Sequence, residues 1–440
     1  MADEPRSQIA APEPASVAPP LASGNYRWVI VALLFTAMVI NYIDRQMIGV
    51  LKPGYLQPEF GWSERDYANI VSWFQGAYAL SYLFFGRFVD RIGAKWGLGI
   101  AFTLWTLAHI AHAGARNLAQ FVMVRVLLGV GEGGGFPASI KAVTEWFPKQ
   151  ERALATGIFN AGTNIGAIVT PLLLPFIVVD LQMGWRASFV VVGIATLLWL
   201  PAWWLLYSHP RSSKRVNAAE LALIESDPVD ASLRMPLLAV LRMRQTWAYA
   251  LGKFLIDPIW WMFLFWLPDF LSRSRGLDLR SFGLPIVAIY LASDVGSVAG
   301  GWLSSRLLKR GRSLASARKT AMLVCALCAL PVMFAAKVSG LWQAVAIISL
   351  AAAAHQGFSA NLYTFPGDVF PRSAVATVIG IGGMLGGVGG MLFAQYVGSV
   401  LQSVGTYTPI FVVAGCVYLI ALLVVHVLVP DYRPAVHVSK

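Results

Sequence analysis

Among the ionisable side chains inside long apolar stretches of this sequence are Asp44, Arg45, Arg125, Glu132, Lys253, Asp257 and Asp294. A charge at the centre of a bilayer costs about 2.5–3.5 kcal/mol on insertion scales, which makes each one a functional candidate. Arg45 offers a planar guanidinium fork that matches a carboxylate. Asp44 beside it is titratable and points about 100° away on a helix, so the two serve different neighbours. Tyr42 lies three residues before Arg45 and shares its face. Arg125 and Glu132 are seven residues apart, within about 20° of one another on a helix, so Glu132 is expected to place Arg125. The glycines from Gly129 to Gly135 let another helix come close to that face. Lys253 and Asp257 sit at i and i+4, a spacing that favours pairing. That pair is either permanent or opened by an anion competing for the lysine. Asp294, in LASDVGSVAG, is either a proton carrier or a polar packing group.

Other chemistries lack their residues. No nucleotide-binding loop, zinc-ligand cluster or nucleophilic triad is present, so no enzymatic activity, metal or cofactor is expected. The three cysteines are Cys325, Cys328 and Cys416. The first two lie in the apolar run MLVCALCALPVM, without the polar neighbours and further ligands of a redox or metal site.

Composition dictates the elements that must carry these charges. Of 440 residues 57% are hydrophobic and 13% charged, against about 25% charged in soluble domains. Mean hydropathy is +0.63. A spanning helix needs about 20 apolar residues, and twelve stretches qualify. They are 28–51, 66–88, 96–114, 117–140, 153–178 and 184–207, then 246–271, 281–307, 319–338, 340–363, 374–401 and 405–429. The expected class is an all-α membrane protein of two six-helix bundles, 26–207 and 246–430. A polar cytoplasmic stretch, 208–245, joins them, and tails 1–25 (rich in Ala, Pro and Ser) and 431–440 flank them. With the N-terminus in the cytoplasm, 23 of the 34 Lys and Arg residues fall on the cytoplasmic side and eight on the other, the bias that orients a membrane protein. Both termini are therefore expected in the cytoplasm. The net charge of +12 is an orienting device, and no nucleic-acid partner is expected.

The halves also echo each other. GRFVDRIGAK at 86–95 is matched by GWLSSRLLKR at 301–310, and Tyr42-Ile43-Asp44 by Leu255-Ile256-Asp257 at almost the same offset. Such a duplication puts a ligand site between the halves, near the midplane. The first of these segments resembles the signature of the major facilitator superfamily, G-x-x-x-D-R-x-G-x-K. Within it the chain looks like the anion:cation symporters, most closely bacterial hexuronate transporters. The likeness spans about 26–430 and includes RVLLGVGEGGGFPASIKAVTEWFPKQERALATGIFNAGTNIGAIVTPLL, FLIDPIWWMFLFWLPDFL and AHQGFSANLYTFPGDVFPRSAVATVIG.

The resemblance implies a monomeric proton symporter of the bacterial inner membrane, taking up a sugar acid such as galacturonate or glucuronate. It implies that Tyr42, Arg45 and Tyr78 line the binding cavity, that Arg125 and Glu132 serve the cavity and proton coupling, and that Lys253 joins them. It also makes Gly86, Asp90, Arg91, Gly93 and Lys95 a conformational latch. Asn160, Thr163 and Asn164, with Gln356 and Asn361, are candidates for sugar hydroxyls, and His355 is a candidate proton group beside Asp44, Glu132, Asp257 and Asp294. The Asp44-Arg45 pair resembles galactonate transporters, which keeps galactonate and similar aldonates as an alternative. An exchanger of organophosphates needs paired cations but no titrating acids, so Asp44 and Glu132 favour symport. A membrane nutrient sensor would carry a signalling domain, and 208–245 is too short to be one.

Overall fold

In lipid a backbone has no water to bond to, so apolar segments cross as helices that satisfy their own amides. The computed structural model describes residues 24–226 and 235–433. Nearly all of the expected N-terminal tail, 227–234 of the central stretch, and 434–440 lie outside the described residues. Ten described segments are long and apolar enough to span: Tyr26–Phe60, Leu118–Trp146, Leu154–Asp180, Gly184–Leu206, Arg244–Arg275, Gly283–Lys309, Leu314–Phe334, Leu341–Val369, Ala374–Ser403 and Thr408–Leu428. A further helical element, Glu64–Ala111, has 48 residues. At 1.5 Å per residue it is about 70 Å long, enough for two crossings of a hydrocarbon layer of about 30 Å. It supplies the second and third of twelve spans, in two pseudo-symmetric sets of six.

The joint within Glu64–Ala111 corrects an expectation. The segment 86–95 was expected as a loop, but it stays helical apart from Gly93, whose φ of +82° breaks the run. Only glycine adopts that region without strain. Local signals set the other ends. Ser63 caps the second span reciprocally: its Oγ accepts from the Asp66 amide at 3.1 Å, and the Asp66 carboxylate accepts from the Ser63 amide at 2.9 Å, a capping box. Asn117 caps the fourth span by accepting from the Gln120 amide at 3.0 Å.

Glycines bring helices to backbone contact. A Cβ on Gly129 would lie 2.5 Å from the Phe74 carbonyl oxygen, and one on Gly131 would lie 2.6 Å from the Trp105 amide. The fourth span therefore lies hard against the second and third. The same close approach seats the eleventh span on the seventh, where a Cβ on Gly389 would stand 2.4 Å from the Phe254 carbonyl oxygen.

The two halves are cross-linked at one end, where the first span finishes. Lys52, expected in a connecting segment, is instead wholly buried in a π-turn that continues the first span. Its ammonium lies 2.8 Å from Glu64 Oε2 and 2.6 Å from Asp269 Oδ1 of the seventh span. Arg273 bonds Glu64 and stands 3.4 Å from Asp269, whose other oxygen accepts from the Tyr407 hydroxyl. Tyr67 donates to the Phe265 carbonyl at 2.8 Å, and the Glu64 amide to Gln402 at 3.1 Å. Among the described residues, all three ion pairs between the halves are at this end, the third being Arg280–Asp180. Among the described residues, no ion pair or hydrogen bond joins the halves at the opposite end.

Two cations and two carboxylates make the cluster neutral. Asp269→Ala leaves Lys52 and Arg273 with one carboxylate between them, and uncompensated buried charge costs about 3–5 kcal/mol. The expected result is a longer separation at this end, read as distances between spin labels on the two halves. An unchanged distance distribution would show that the cluster does not hold the end shut.

Candidate functional site

Arg45 is the centre of the polar interior. Its Nε donates to Glu132 Oε2 at 2.7 Å, and a terminal nitrogen donates to Asn41 Oδ1 at 3.0 Å. The guanidinium carbon lies 4.5 Å from the centroid of Tyr42, 4.9 Å from Tyr78 and 4.9 Å from Trp261. Arg45 and Glu132 are 2% and 1% exposed. Trp261 belongs to the seventh span, so the ring cage takes walls from both halves.

This geometry overturns the expected Arg125–Glu132 pairing. Seven residues on a helix share a face but rise about 10 Å, two turns, and the crossing first span delivers Arg45 to Glu132 instead. Arg125 donates to the Arg45 carbonyl at 3.0 Å and faces the rings of Phe74 and Phe265. Its other two nitrogens are buried without a partner among the described residues. Asp44 turns away from Arg45, as its 100° offset requires, and its Oδ1 lies 3.2 Å from His109 Nδ1. His109, in the third span, is a residue that sequence reasoning missed. Its only signal was a histidine within the apolar stretch 96–114.

In the C-terminal half, Lys253 Nζ lies 2.7 Å from Asp257 Oδ1, the expected i,i+4 pair, and 3.9 Å from the centroid of Tyr363. Polar contacts also join the halves away from the Lys52 cluster, among them Ser72 donating to the Met391 carbonyl at 3.0 Å. Gln46 donates to the Tyr290 hydroxyl at 3.2 Å, and Asn164 bonds Asp294.

Several hydroxyl-binding candidates are already engaged. Asn361 donates to the carbonyls of Gly300 and Gly357 at 3.0 and 2.9 Å, tying the tenth span to the eighth, so its amide hydrogens are occupied. Thr163 donates to the Asn160 carbonyl at 2.7 Å. His355 sits 3.0 Å from the Tyr418 hydroxyl and stacks on Trp260. Gln356 is half-buried, and Asn160 is exposed.

At the opposite end from the Lys52 cluster, exposed Asp90 stands 3.6 Å from Lys141 of the fourth span. The Lys95 carbonyl accepts from Trp203 Nε1 at 2.9 Å, and Arg91 is exposed. Nearby, the central stretch docks on the first bundle. Buried Glu220 accepts from the Arg27 amide at 3.0 Å and from its guanidinium at 3.2 Å, while Arg27 also bonds Glu151 at 2.8 Å.

Twelve spans in two halves, sealed at one end around buried charges that both halves enclose, define a multi-pass membrane carrier rather than an enzyme. Residues 34–394 match the Major Facilitator Superfamily model, and the chain belongs to that superfamily. It is 30% identical to a hexuronate transporter of Escherichia coli (strain K12), over 94% of this chain and 96% of that one. It is 29% identical to a D-galactonate transporter of Escherichia coli O6:H1, over 93% and 97%. Among solved structures, a bacterial homologue of the human lysosomal transporter Spinster, in an inward-facing, occupied conformation, superposes with a TM-score of 0.69 at 20% identity, covering 93% of this chain and 97% of that one.

The Arg45–Glu132 pair yields a stability prediction. Removing one partner strands a buried charge, so Glu132→Ala is expected to destabilise by about 3–5 kcal/mol, whereas replacing both partners by apolar side chains of similar volume is close to neutral. In thermal unfolding in detergent, Arg45→Met with Glu132→Leu should recover most of the melting temperature lost in Glu132→Ala. A double variant as unstable as the single one would mean the pair is not the source of the loss.

Proposed function

We propose that the protein imports a sugar acid together with protons by alternating access, and that the substrate is a hexuronate such as galacturonate or glucuronate. The observation that carries this reading is the desolvated Arg45–Glu132 pair inside a ring cage built from both halves. A substrate carboxylate competes with Glu132 for the guanidinium fork. Once displaced, Glu132 takes a proton rather than remain a bare buried anion. Anion binding and protonation are thereby linked at one side chain. Tyr42, Tyr78 and Trp261 supply flat apolar walls for a sugar ring, and the Lys253–Asp257 pair offers a second polar contact from the other half.

The names of the relatives support the substrate class. The D-galactonate transporter keeps an aldonate as the second reading, since it is nearly as similar as the hexuronate transporter. In this reading the two units that rock are 26–207 and 246–430, working as a monomer in the bacterial inner membrane with both termini in the cytoplasm. The Lys52–Glu64–Asp269–Arg273 cluster is then the periplasmic gate. Asp90 with Lys141 is a latch contact at the cytoplasmic end, joined by Gly86, Arg91, Gly93 and Lys95.

Uptake of labelled galacturonate, glucuronate and galactonate into proteoliposomes tests the proposal. An inward proton gradient should drive accumulation of at least one of them, and a neutral sugar of the same shape should not compete. Arg45→Lys keeps the charge but loses the two-pronged geometry, and should weaken affinity at least tenfold. Glu132→Gln should lose accumulation while keeping counterflow exchange. No response to the proton gradient, or unaltered accumulation in Glu132→Gln, would overturn the coupling. Asp90→Asn should slow turnover with substrate affinity within about threefold, because a contact made in one state only shifts populations. Normal turnover in that variant would remove Asp90 from the latch.

A further inference from the structure

His109 and Asp44 face each other in the heart of the first six helices. Nδ1 of the ring lies 3.2 Å from Asp44 Oδ1, and both side chains are wholly shielded from solvent. Among the described residues no hydrogen bond of full geometry reaches either Asp44 oxygen or either ring nitrogen of His109, although the backbones of Phe189 and Asp44 approach the ring. At 3.2 Å a turn of the imidazole completes the bond. The ring is enclosed by Phe189 at 5.1 Å and by Gly193, where a Cβ would come 3.3 Å from the His109 ring.

We propose that the carrier holds a second proton site beside Glu132: Asp44 and His109 carry a coupling proton as a carboxylate–imidazole pair. This rests on the proton-coupled reading above. Without the extra proton, a neutral imidazole with its hydrogen on Nδ1 faces the Asp44 carboxylate. The incoming proton bonds to Nε2. The Nδ1–H bond then breaks as the Asp44 O–H bond forms, leaving a carboxylic acid and the other neutral tautomer of the ring. One proton enters and no other charge moves. Unloading runs the same bonds in reverse.

The groups around the pair explain why this proton speaks to the substrate. Arg125 of the fourth span acts electrostatically on both Asp44 and His109, and Glu132 acts on Asp44. His112, one turn along the third span, is the remaining titratable neighbour, while the sixth span contributes Phe189 and Gly193, which do not titrate. Arg45 and Arg125 against Asp44 and Glu132 is a neutral set of two cations and two anions. Adding one proton at the pair leaves an excess of one positive charge, which draws in a substrate carboxylate before Glu132 is displaced and takes its own proton. His112 lacks this capacity. Its Nδ1 hydrogen is committed to the Ala108 carbonyl at 2.8 Å, and its ring stacks on Phe189.

The experiment uses the full chain in proteoliposomes with a pH dye inside, and reads proton entry per substrate and the pH profile of uptake. Wild-type protein is measured first: substrate uptake without proton entry would sink the proton-coupled reading itself. With coupling established, His109→Gln and His109→Asn should each lose at least tenfold in proton-driven accumulation and flatten the pH profile, while counterflow exchange persists and certifies a folded, binding-competent carrier. His109→Gln combined with Asp44→Asn should be no worse than Asp44→Asn alone, because the two act as one unit. His112→Gln should keep the wild-type pH profile. Wild-type proton entry per substrate in His109→Gln overturns the pair. Should both His109 variants fail to fold, infrared difference spectra of the wild-type protein decide: the carboxylic-acid band lost in Asp44→Asn should appear together with a change of imidazole tautomer, and its appearance with no imidazole change overturns the pair.

Discussion

Arg45 keeps a full positive charge where water scarcely reaches, and its surroundings answer that one demand. A guanidinium cannot shed its proton, and taking it out of water costs several kcal/mol unless partners replace the lost hydration. Glu132 answers with an opposite charge, Asn41 with a carbonyl, and Tyr42, Tyr78 and Trp261 with ring faces. Asn41 and Tyr42 belong to its own span and the others to three more, so the first, second, fourth and seventh spans meet at one side chain. In the function proposed above, a substrate carboxylate competes for this guanidinium by imitating Glu132, its strongest partner.

The same electrostatic logic closes the far end. Lys52 is buried as fully as Arg45, and its two carboxylate partners lie on opposite halves. Separating the halves there would strand Asp269 with Arg273 and Lys52 with Glu64, replacing one neutral four-charge cluster by two exposed pairs. Water entering there would rehydrate the separated charges and offset part of that loss. At the other end the Asp90–Lys141 contact is exposed and joins helices of one half, and among the described residues no ion pair ties the halves together there. Among the described residues, the buried charge cluster at one end thus has no counterpart between the halves at the other.

Close helix packing lets these charges meet. Arg125 and Glu132 flank a glycine face that rests on the backbone of the second and third spans. Without side chains in the way, the fourth span can place an acid within reach of the first. The third span, held equally close, carries His109 to Asp44. Small residues thus set distances, and the charges exploit them.

Much of this was legible in the sequence, because some requirements are local. Lipid demands about 20 apolar residues per crossing, so the spans and the two-half plan follow from composition and repeat. Intramembrane charge is rare enough to mark Arg45, Glu132, Lys253 and Asp257, and the i,i+4 rule correctly paired the last two, four residues apart on one helix. Helix geometry also gave the divergence of Asp44 from Arg45. Partners across helices were another matter. Glu132 meets Arg45 across 87 positions and Lys52 meets Asp269 across 217; nothing in the spacing of either member names the other. His109, Lys52 and Glu220 are likewise buried against partners that their own positions in the sequence do not name. Facing is decided by how helices cross, and crossing depends on side-chain packing summed over whole interfaces, which the order of residues along one helix does not contain.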